Sequence, residues 1–542
     1  MDPERMRSVQ EVESNMPPLR GENADFHKHV EYTDVHQQQL QEYAAITGAS
    51  CGLEGLVDMG AANEQPPPVQ QQVAAPTPQH AVAAATATQR AAAARSKRQK
   101  LKEEKAYRGS TCISTTLSKK TSTMLAGETA APVKSTKPKG PAPYRHEDLI
   151  LIPTIVPEIV ARTWTNNKEE WAKGVPLAQY HARERHLANT PFSSDNRLVT
   201  WILVPKSDAE VTAEYRESTD FAKTPAEGVR GGFEPEDVSI ANLERIMGAV
   251  ETYERPGMIA TAGDETGLKD VTSMSVASVF VPSKYRNHSY GKLIMKLLWE
   301  EIGNRGASFS YLYSDLGSQF YTNFGWTART SVEIIIPPSL ALPLAPNVAF
   351  EAVKDDDDEQ SLKRLIEHDA QMVRETVKQK VHEATLANAS TTFVASTPEI
   401  RCFQWLYARS WFNASNVWKL NETQIKEGLN YGVYVPGTLN QFMLWHHDFT
   451  DDNLFILRWR IDSTSNSEES DAIALTFIQA AQQEAKKWNL SKIVYWDENT
   501  ALAKLLGLEV KERHHSISSL GLVRSSQDER NVEWILNEKW SW

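Results

Sequence analysis

The segment Val276 to Gly291, VASVFVPSKYRNHSYG, constrains the fold of this chain more than any other, because an apolar strand runs through a polar loop into an amphipathic helix. Val276, Val279, Phe280 and Val281 suit a buried strand, which Pro282 closes. Leu293, Ile294, Leu297 and Leu298 then recur with helical spacing, so Arg286, Asn287, His288, Ser289, Tyr290 and Gly291 fall in the strand-to-helix turn. The first NH groups of a helix lack intrahelical acceptors and sit at the positive end of its dipole, so such a turn favours a phosphate or pyrophosphate. Arg286 adds a fixed positive charge. An ordinary strand-turn-helix shares this pattern. Two familiar phosphate loops are excluded, since there is no GxxxxGK[ST] run and no GxGxxG between a strand and a helix.

The pattern Arg286-x-x-Ser289-x-Gly291 resembles the pyrophosphate motif of the GNAT acyl-CoA N-acyltransferases, Gln/Arg-x-x-Gly-x-Gly/Ala, with Ser289 in place of the first glycine. Serine lets the backbone approach the phosphates provided the position does not need a positive φ. Ser308 to Asp315 (SFSYLYSD) reads as a second strand, and Gly317 to Trp326 (GSQFYTNFGW) as a short helix that stops at a glycine. GNAT folds have the same order: the strand after the pyrophosphate helix splays from its neighbour, and a Tyr-x-x-x-Gly-Phe segment follows. Here Tyr321 and Gly325 hold those places and Trp326 replaces phenylalanine. By itself Tyr321 is a core aromatic whose hydroxyl finds a partner. The resemblance implies instead a general acid that protonates the departing thiolate of coenzyme A.

Taken further, LERIMGAVETYER (Leu243 to Arg255), the phosphate-loop segment and YLYSDLGSQFYTNFGW resemble the fungal lysine N-ε-acetyltransferases of the GNAT superfamily. Trp164, Thr165, Asn166, Trp171 and QYHARER (Gln179 to Arg185) resemble that family's opening helices, TWILV (Thr200 to Val204) its first strand, and EWILNEKWSW (Glu533 to Trp542) its C-terminus. The resemblance spans about 146 to 542. It implies an α/β GNAT acyltransferase fold followed by a second GNAT-like α/β domain, with acetyl-CoA as co-substrate, no metal, and free L-lysine as the small-molecule amine acceptor in lysine degradation. An ε-amine must lose a proton before attack, and its ordinary pKa is about 10.4. Glu251 is the candidate base or ammonium partner, against a plain solvent-facing strand glutamate. Main-chain NH groups near Ala277 to Val281, at Val279, Phe280 and Val281 above all, are expected to polarise the thioester carbonyl. Two alternatives stand beside this reading: acetylation of protein lysines, and a noncatalytic acyl-CoA-binding scaffold.

Residues 1–145 differ in kind. Gln-, Ala- and Pro-rich runs such as EQPPPVQQQ cannot supply a packed core, and the expectation there is disorder. The basic tract RSKRQKLKEEK from Arg95 reads as a solvated linker, with nuclear import as the alternative; the expected location is otherwise cytoplasmic. A net charge of −12 argues against nucleic acid as a general partner, and no apolar run approaches the roughly 20 residues of a membrane span. The oligomeric state is left open. The folded part divides into an acetyltransferase domain over 146–345 and a GNAT-like domain over 346–542, with Lys206 to Asn242 as a loop or cover beside the active site. In the second domain the turn after Ile461, DSTSNSEES, carries acids where the first has arginine, so a pyrophosphate would be repelled. That domain is expected to complete the acceptor pocket. The pairs His446-His447 and His514-His515 are not spaced as a metal site.

Overall fold

In the computed structural model the described residues are 143–172, 175–210, 238–344, 348–354, 360–461, 467–524 and 531–541, all within the unit Thr77–Trp542. The low-complexity region and the basic tract near Arg95 lie outside them, as does most of the Lys206 to Asn242 segment.

A 3₁₀ turn at His146–Asp148 leads into β1 (Leu149–Thr154), α1 (Pro157–Trp171), α2 (Leu177–Ala188) and β2 (Leu198–Pro205). The short strands β3 (Ala209–Glu210) and β4 (Ser239–Ile240) pair with each other. Then follow β5 (Gly248–Thr261), β6 (Lys269–Phe280), α3 (Tyr290–Asn304), β7 (Phe309–Ser314), α4 (Gln319–Thr322), β8 (Thr327–Ala328) and β9 (Val332–Ile336). The C-terminal half contains β10 (Glu351–Val353), α5 (Gln360–Leu386), β11 (Thr392–Ser396), α6 (Ile400–Asn416), α7 (Glu422–Gly428), β12 (Gly432–Tyr434), β13 (Phe442–Asp448) and β14 (Asn453–Arg460). It ends with α8 (Ser467–Lys487), β15 (Lys492–Tyr495), α9 (Thr500–Leu505), β16 (Val510–Glu512), β17 (Ile517–Leu522) and β18 (Val532–Ile535).

These elements form two mixed sheets of like design, the α/β GNAT architecture expected from the sequence. The first runs β1-β2-β5-β6-β7-β17-β8, with β11 paired to β5 and β18 to β11; the second runs β10-β12-β13-β14-β15-β9-β16. Along each main path the strands are antiparallel up to a parallel pair, β6–β7 or β14–β15, joined by a helix, α3 or α8. The next place is filled by a strand from the other half of the chain. β17 lies between β7 and β8, and β9 between β15 and β16. Neither sheet is complete without the other half's strand.

The first sheet's core follows from the apolar stripe of α3. Ile294, Met295, Leu298 and Ile302 are fully buried against Val250, Val276 and Leu312, as spacing of three and four residues on one helix face requires. Trp326, in the phenylalanine place, is fully buried, and its indole N–H donates to Ser310 Oγ at 3.0 Å while its ring meets Trp299 edge-on at 4.6 Å. A buried indole needs such an acceptor. The second sheet is covered by α8, whose Ile473, Phe477, Ile478 and Ala481 are buried.

Candidate active site

The parallel pairing of β6 with β7 runs from Ser273–Phe309 to Val276–Leu312 and stops there, although β6 continues to Phe280. The two strands therefore part at the end that faces α3. Within the same stretch β6 carries a bulge against β5, since Ala249 opposes Phe280 while Glu251 opposes Ala277. Ser278 takes up the extra residue with φ 54°. A bulge removes ladder partners and re-aims the strand, which leaves the main chain of Ala277 to Val281 at the mouth of the wedge between β6 and β7.

The turn expected to hold phosphate follows directly. Pro282 precedes a 3₁₀ turn at Ser283–Tyr285, and α3 starts at Tyr290 with Ser289 as its N-cap. Both Asn287 (φ 67°) and Ser289 (φ 61°) are left-handed. Ser289 thus adopts the conformation that favours glycine, the residue usual at this point of the motif, and its side chain makes no capping bond. Asn287 and Ser289 are exposed. A Cβ on Gly291 would make only ordinary contacts, with Val281 Cγ2 at 3.8 Å and Phe320 Cζ at 3.9 Å. Exposed left-handed residues and first-turn amides without intrahelical acceptors fit a pyrophosphate.

Arg286 donates from Nε to the Val281 carbonyl at 2.9 Å, lies over the Phe280 ring at 5.3 Å and pairs with Glu170 of α1 at 3.2 Å. Phe280 is buried, and Trp171 meets it edge-on. Val279 and Val281 pack against the first core. His288 serves the fold through its carbonyl, which meets His146 Nε2 at 3.0 Å. The Tyr290 side chain turns inward: it is buried, donates to the Tyr144 carbonyl and accepts from the Tyr144 amide. Only its main chain is available at the helix start.

Tyr321 lies on the single turn of α4 and is buried, edge-on to Phe320 at 4.9 Å. Burial, reinforced by Asp315, raises its hydroxyl well above the ordinary tyrosine range, so it is protonated at neutral pH. The Tyr321 carbonyl accepts from the amides of Phe324 and Trp326, which closes the turn around Gly325 (φ 104°).

Glu251 stands beside the bulge. It is half-buried, and its carboxylate accepts hydrogen bonds from Ser278 and Trp164. Burial, with Glu184 of α2 as a like charge, pushes its pKa up to about 7 despite those bonds. The carboxylate keeps some accessible surface in a strongly desolvating setting. Around it stand Tyr180, Glu184 and Tyr253; Arg183 pairs with Glu184 at 2.6 Å and covers the Tyr180 ring. The solvent-facing strand glutamate is thereby excluded.

Two further residues of this β5 face reach the C-terminal half. Tyr253 meets Trp405 of α6 edge-on at 6.4 Å. Arg255, fully buried, donates to Tyr311 Oη at 2.8 Å, to the Ser541 carbonyl at 2.9 Å and to Cys402 Sγ at 2.8 Å. Among the described residues the wedge of the second sheet shows no counterpart of the turn before α3. There Arg458 is buried in an ion cluster with Asp369 and Glu538, and α8 opens with Glu468 and Glu469 in its first turn.

Residues 350–542 match the family model described as the LYC1 GNAT-like C-terminal domain. The C-terminal half is a LYC1-type GNAT-like domain. The chain is 20% identical to the uncharacterized protein YGR111W of Saccharomyces cerevisiae, over 73% of this chain and 98% of that one. Among solved structures, it is similar to a GCN5-related N-acetyltransferase from Anabaena variabilis (12% identity, TM-score 0.39, 69% of this chain and 73% of that one). It is also similar to Saccharomyces cerevisiae N-myristoyltransferase with bound myristoyl-CoA and inhibitors (9% identity, TM-score 0.38, 73% and 87%).

The LYC1-type domain packs α6 against Tyr253 and the C-terminal turn against Arg255, contacts that sequence spacing does not reveal. Glu184 and Trp164 fall in segments whose resemblance is visible in sequence, but their approach to Glu251 is not. No helix among the described residues is long and apolar enough to cross a membrane.

Proposed function

We propose that this chain transfers acetyl from acetyl-CoA directly to the side-chain amine of free L-lysine, as a step of lysine degradation. The observation that carries the reading is Glu251: a carboxylate titrating near neutrality, half-buried beside the β6 bulge and bonded to Trp164 and Ser278.

The residues take the following roles. The first amides of α3 with Arg286 hold the pyrophosphate of the co-substrate. NH groups of the bulged stretch, at Val279, Phe280 and Val281, hydrogen-bond the thioester oxygen as negative charge develops there. Glu251, ionised at and above about pH 7, accepts the proton that the substrate ammonium must lose before its nitrogen attacks the carbonyl carbon. As the carbon–sulfur bond breaks, the Tyr321 hydroxyl, buried and protonated, gives its proton to the thiolate. No side chain forms a covalent intermediate, and Cys402, its pKa pushed up to about 11 by burial, stays a thiol. Lysine as acceptor rests on the resemblance to the fungal family and on the pairing of carboxylates with aromatic rings around Glu251, a setting suited to an ammonium group.

The test is incubation of the protein with acetyl-CoA and, separately, free amino acids, polyamines and a lysine-containing peptide, following thiol release and product mass. Acetylation at the ε-nitrogen of free lysine alone is the expected result. Peptide acetylation would replace the acceptor assignment, and coenzyme A binding without turnover would remove the catalytic one.

A further inference from the structure

The surroundings of Glu251 are electrically bipolar. At one end stand Glu251 and Glu184. At the other stands Arg409 of α6, placed by a stripe of that helix that the structure fixes at three points. Trp405 meets Tyr253, Phe412 lies against His186 with ring centres 5.7 Å apart, and the Asn416 carbonyl accepts from Gln179 Nε2 at 2.8 Å. Residues 405, 409, 412 and 416 share one helix face, so Arg409 points with these neighbours toward α2 and β5. Tyr180 and Tyr253 feel both ends: beyond burial, Glu184 and Glu251 push their hydroxyls up and Arg409 pulls them down.

Behind Arg409 is a buried polar group from the LYC1-type domain. Asp448 and His446 end β13, and Lys539 comes from the C-terminal turn, its ammonium 4.9 Å from the Phe455 ring and 4.5 Å from the Trp496 ring. Lys539, its pKa pushed down to about 7 by burial, shares this space with Arg409 and Arg513 against Asp448 and the exposed Asp451. His446 adds no charge, because burial holds it neutral. His446 is 2% exposed, stacks on Phe455 and has no hydrogen-bond partner at either ring nitrogen. Buried imidazoles rarely stay so.

We infer that Arg409, supported by Lys539, binds the carboxylate of an α-amino-acid acceptor whose side-chain ammonium lies at Glu251, so that the LYC1-type domain reads the far end of the substrate. The inference rests on the proposed acceptor reaction and deepens it, since a carboxylate requirement separates free lysine from a diamine and from a lysine within a protein chain.

Calorimetry of the full chain saturated with coenzyme A tests this without turnover, using L-lysine and 1,5-diaminopentane, its decarboxylated counterpart. Lysine is expected to bind on the order of tenfold to a hundredfold more tightly, the usual scale of a charge-assisted bond. In Arg409→Gln that ratio should fall to near unity with coenzyme A affinity unchanged, and Arg409→Lys should restore part of it. Equal affinities for the two ligands in the parent protein, or parallel weakening of both in Arg409→Gln, would overturn the inference. The parent ratio decides even if the variant does not fold. Discrimination in favour of lysine without any acetylation would leave the subsite standing and sink the acyl-transfer reading alone.

Discussion

Gly521 of β17 packs on Gly325 so closely that a Cβ at 521 would stand 1.8 Å from the Gly325 carbonyl oxygen and 2.6 Å from the Trp299 ring. The strand that the LYC1-type domain lends to the first sheet is thus the backstop of the turn that carries Tyr321. Gly521→Ala must push β17 off that turn, because the obstacle is backbone and cannot rotate away. A loss of about 2–3 kcal/mol is expected, read as a lower denaturation midpoint. An unchanged midpoint would show that the two halves are less tightly fitted than these distances state.

Glu251 links activity and stability to pH with opposite signs. As a base it must be ionised, so kcat/KM should rise with pH up to about 7 and then level off. For stability, a carboxyl with a folded pKa of about 7 against an ordinary 4.5 binds more protons folded than unfolded between those values. Its contribution therefore falls as pH rises through that window. Glu251→Gln should abolish the pH-dependent limb of the rate and raise the melting temperature at pH 8 but hardly at pH 5. A larger gain at pH 5 would contradict the assignment.

Tyr321→Phe keeps the buried ring and removes only the proton donor. Turnover is expected to fall on the order of a hundredfold, the lower end for a general acid, while acetyl-CoA affinity stays the same. Equal rates in stopped-flow thiol release would return Tyr321 to a packing role.

What the sequence makes legible here is local. The helix after Arg286 obeys a period of 3.6 and its burial follows, and the strand before it, apolar toward its end, is buried or half-buried there. What it hides is the partner of each element. Nothing in ISSLGL (Ile517 to Leu522) states that this strand leaves its own half to pair with Phe309 to Ser314, because pairing of distant strands depends on tertiary closure and not on composition. Amphipathic spacing at Leu362, Leu365, Ile366, Val373 and Val377 signals the long helix α5, yet α5 and α6 are absent from the sequence-level description. Within the site, Glu251 is nameable from its place in GAVETYER, whereas its raised pKa comes from burial and from Glu184 of α2, against the opposing hydrogen bonds of Ser278 and Trp164, all set by tertiary packing. The left-handed Ser289 is likewise invisible: the motif shows a serine where glycine is usual, and only the backbone shows that the glycine conformation is retained.

Ser289→Gly should therefore stabilise the protein by about 1 kcal/mol, since a non-glycine residue in that region carries a strain of this order. No side-chain bond is lost, as the hydroxyl caps nothing. Chemical denaturation measures the gain. Destabilisation would mean that the hydroxyl has a role that its geometry does not reveal.

Arg286 and Glu170 make opposite predictions from one contact. Their ion pair is exposed, with side chains 44% and 52% accessible, so by itself it is worth at most about 1 kcal/mol. A pyrophosphate at the start of α3 would compete with Glu170 for the same guanidinium, and the carboxylate would in addition repel it. Arg286→Ala should weaken acetyl-CoA binding about tenfold or more through loss of a charge-assisted bond, and Glu170→Gln should tighten it by a few fold, with both effects shrinking at high salt. Fluorescence or calorimetric titration of acetyl-CoA at two ionic strengths distinguishes the two signs. If both variants weaken binding alike, Glu170 orients Arg286 instead of competing for it; if neither changes it, the pyrophosphate does not lie at this helix.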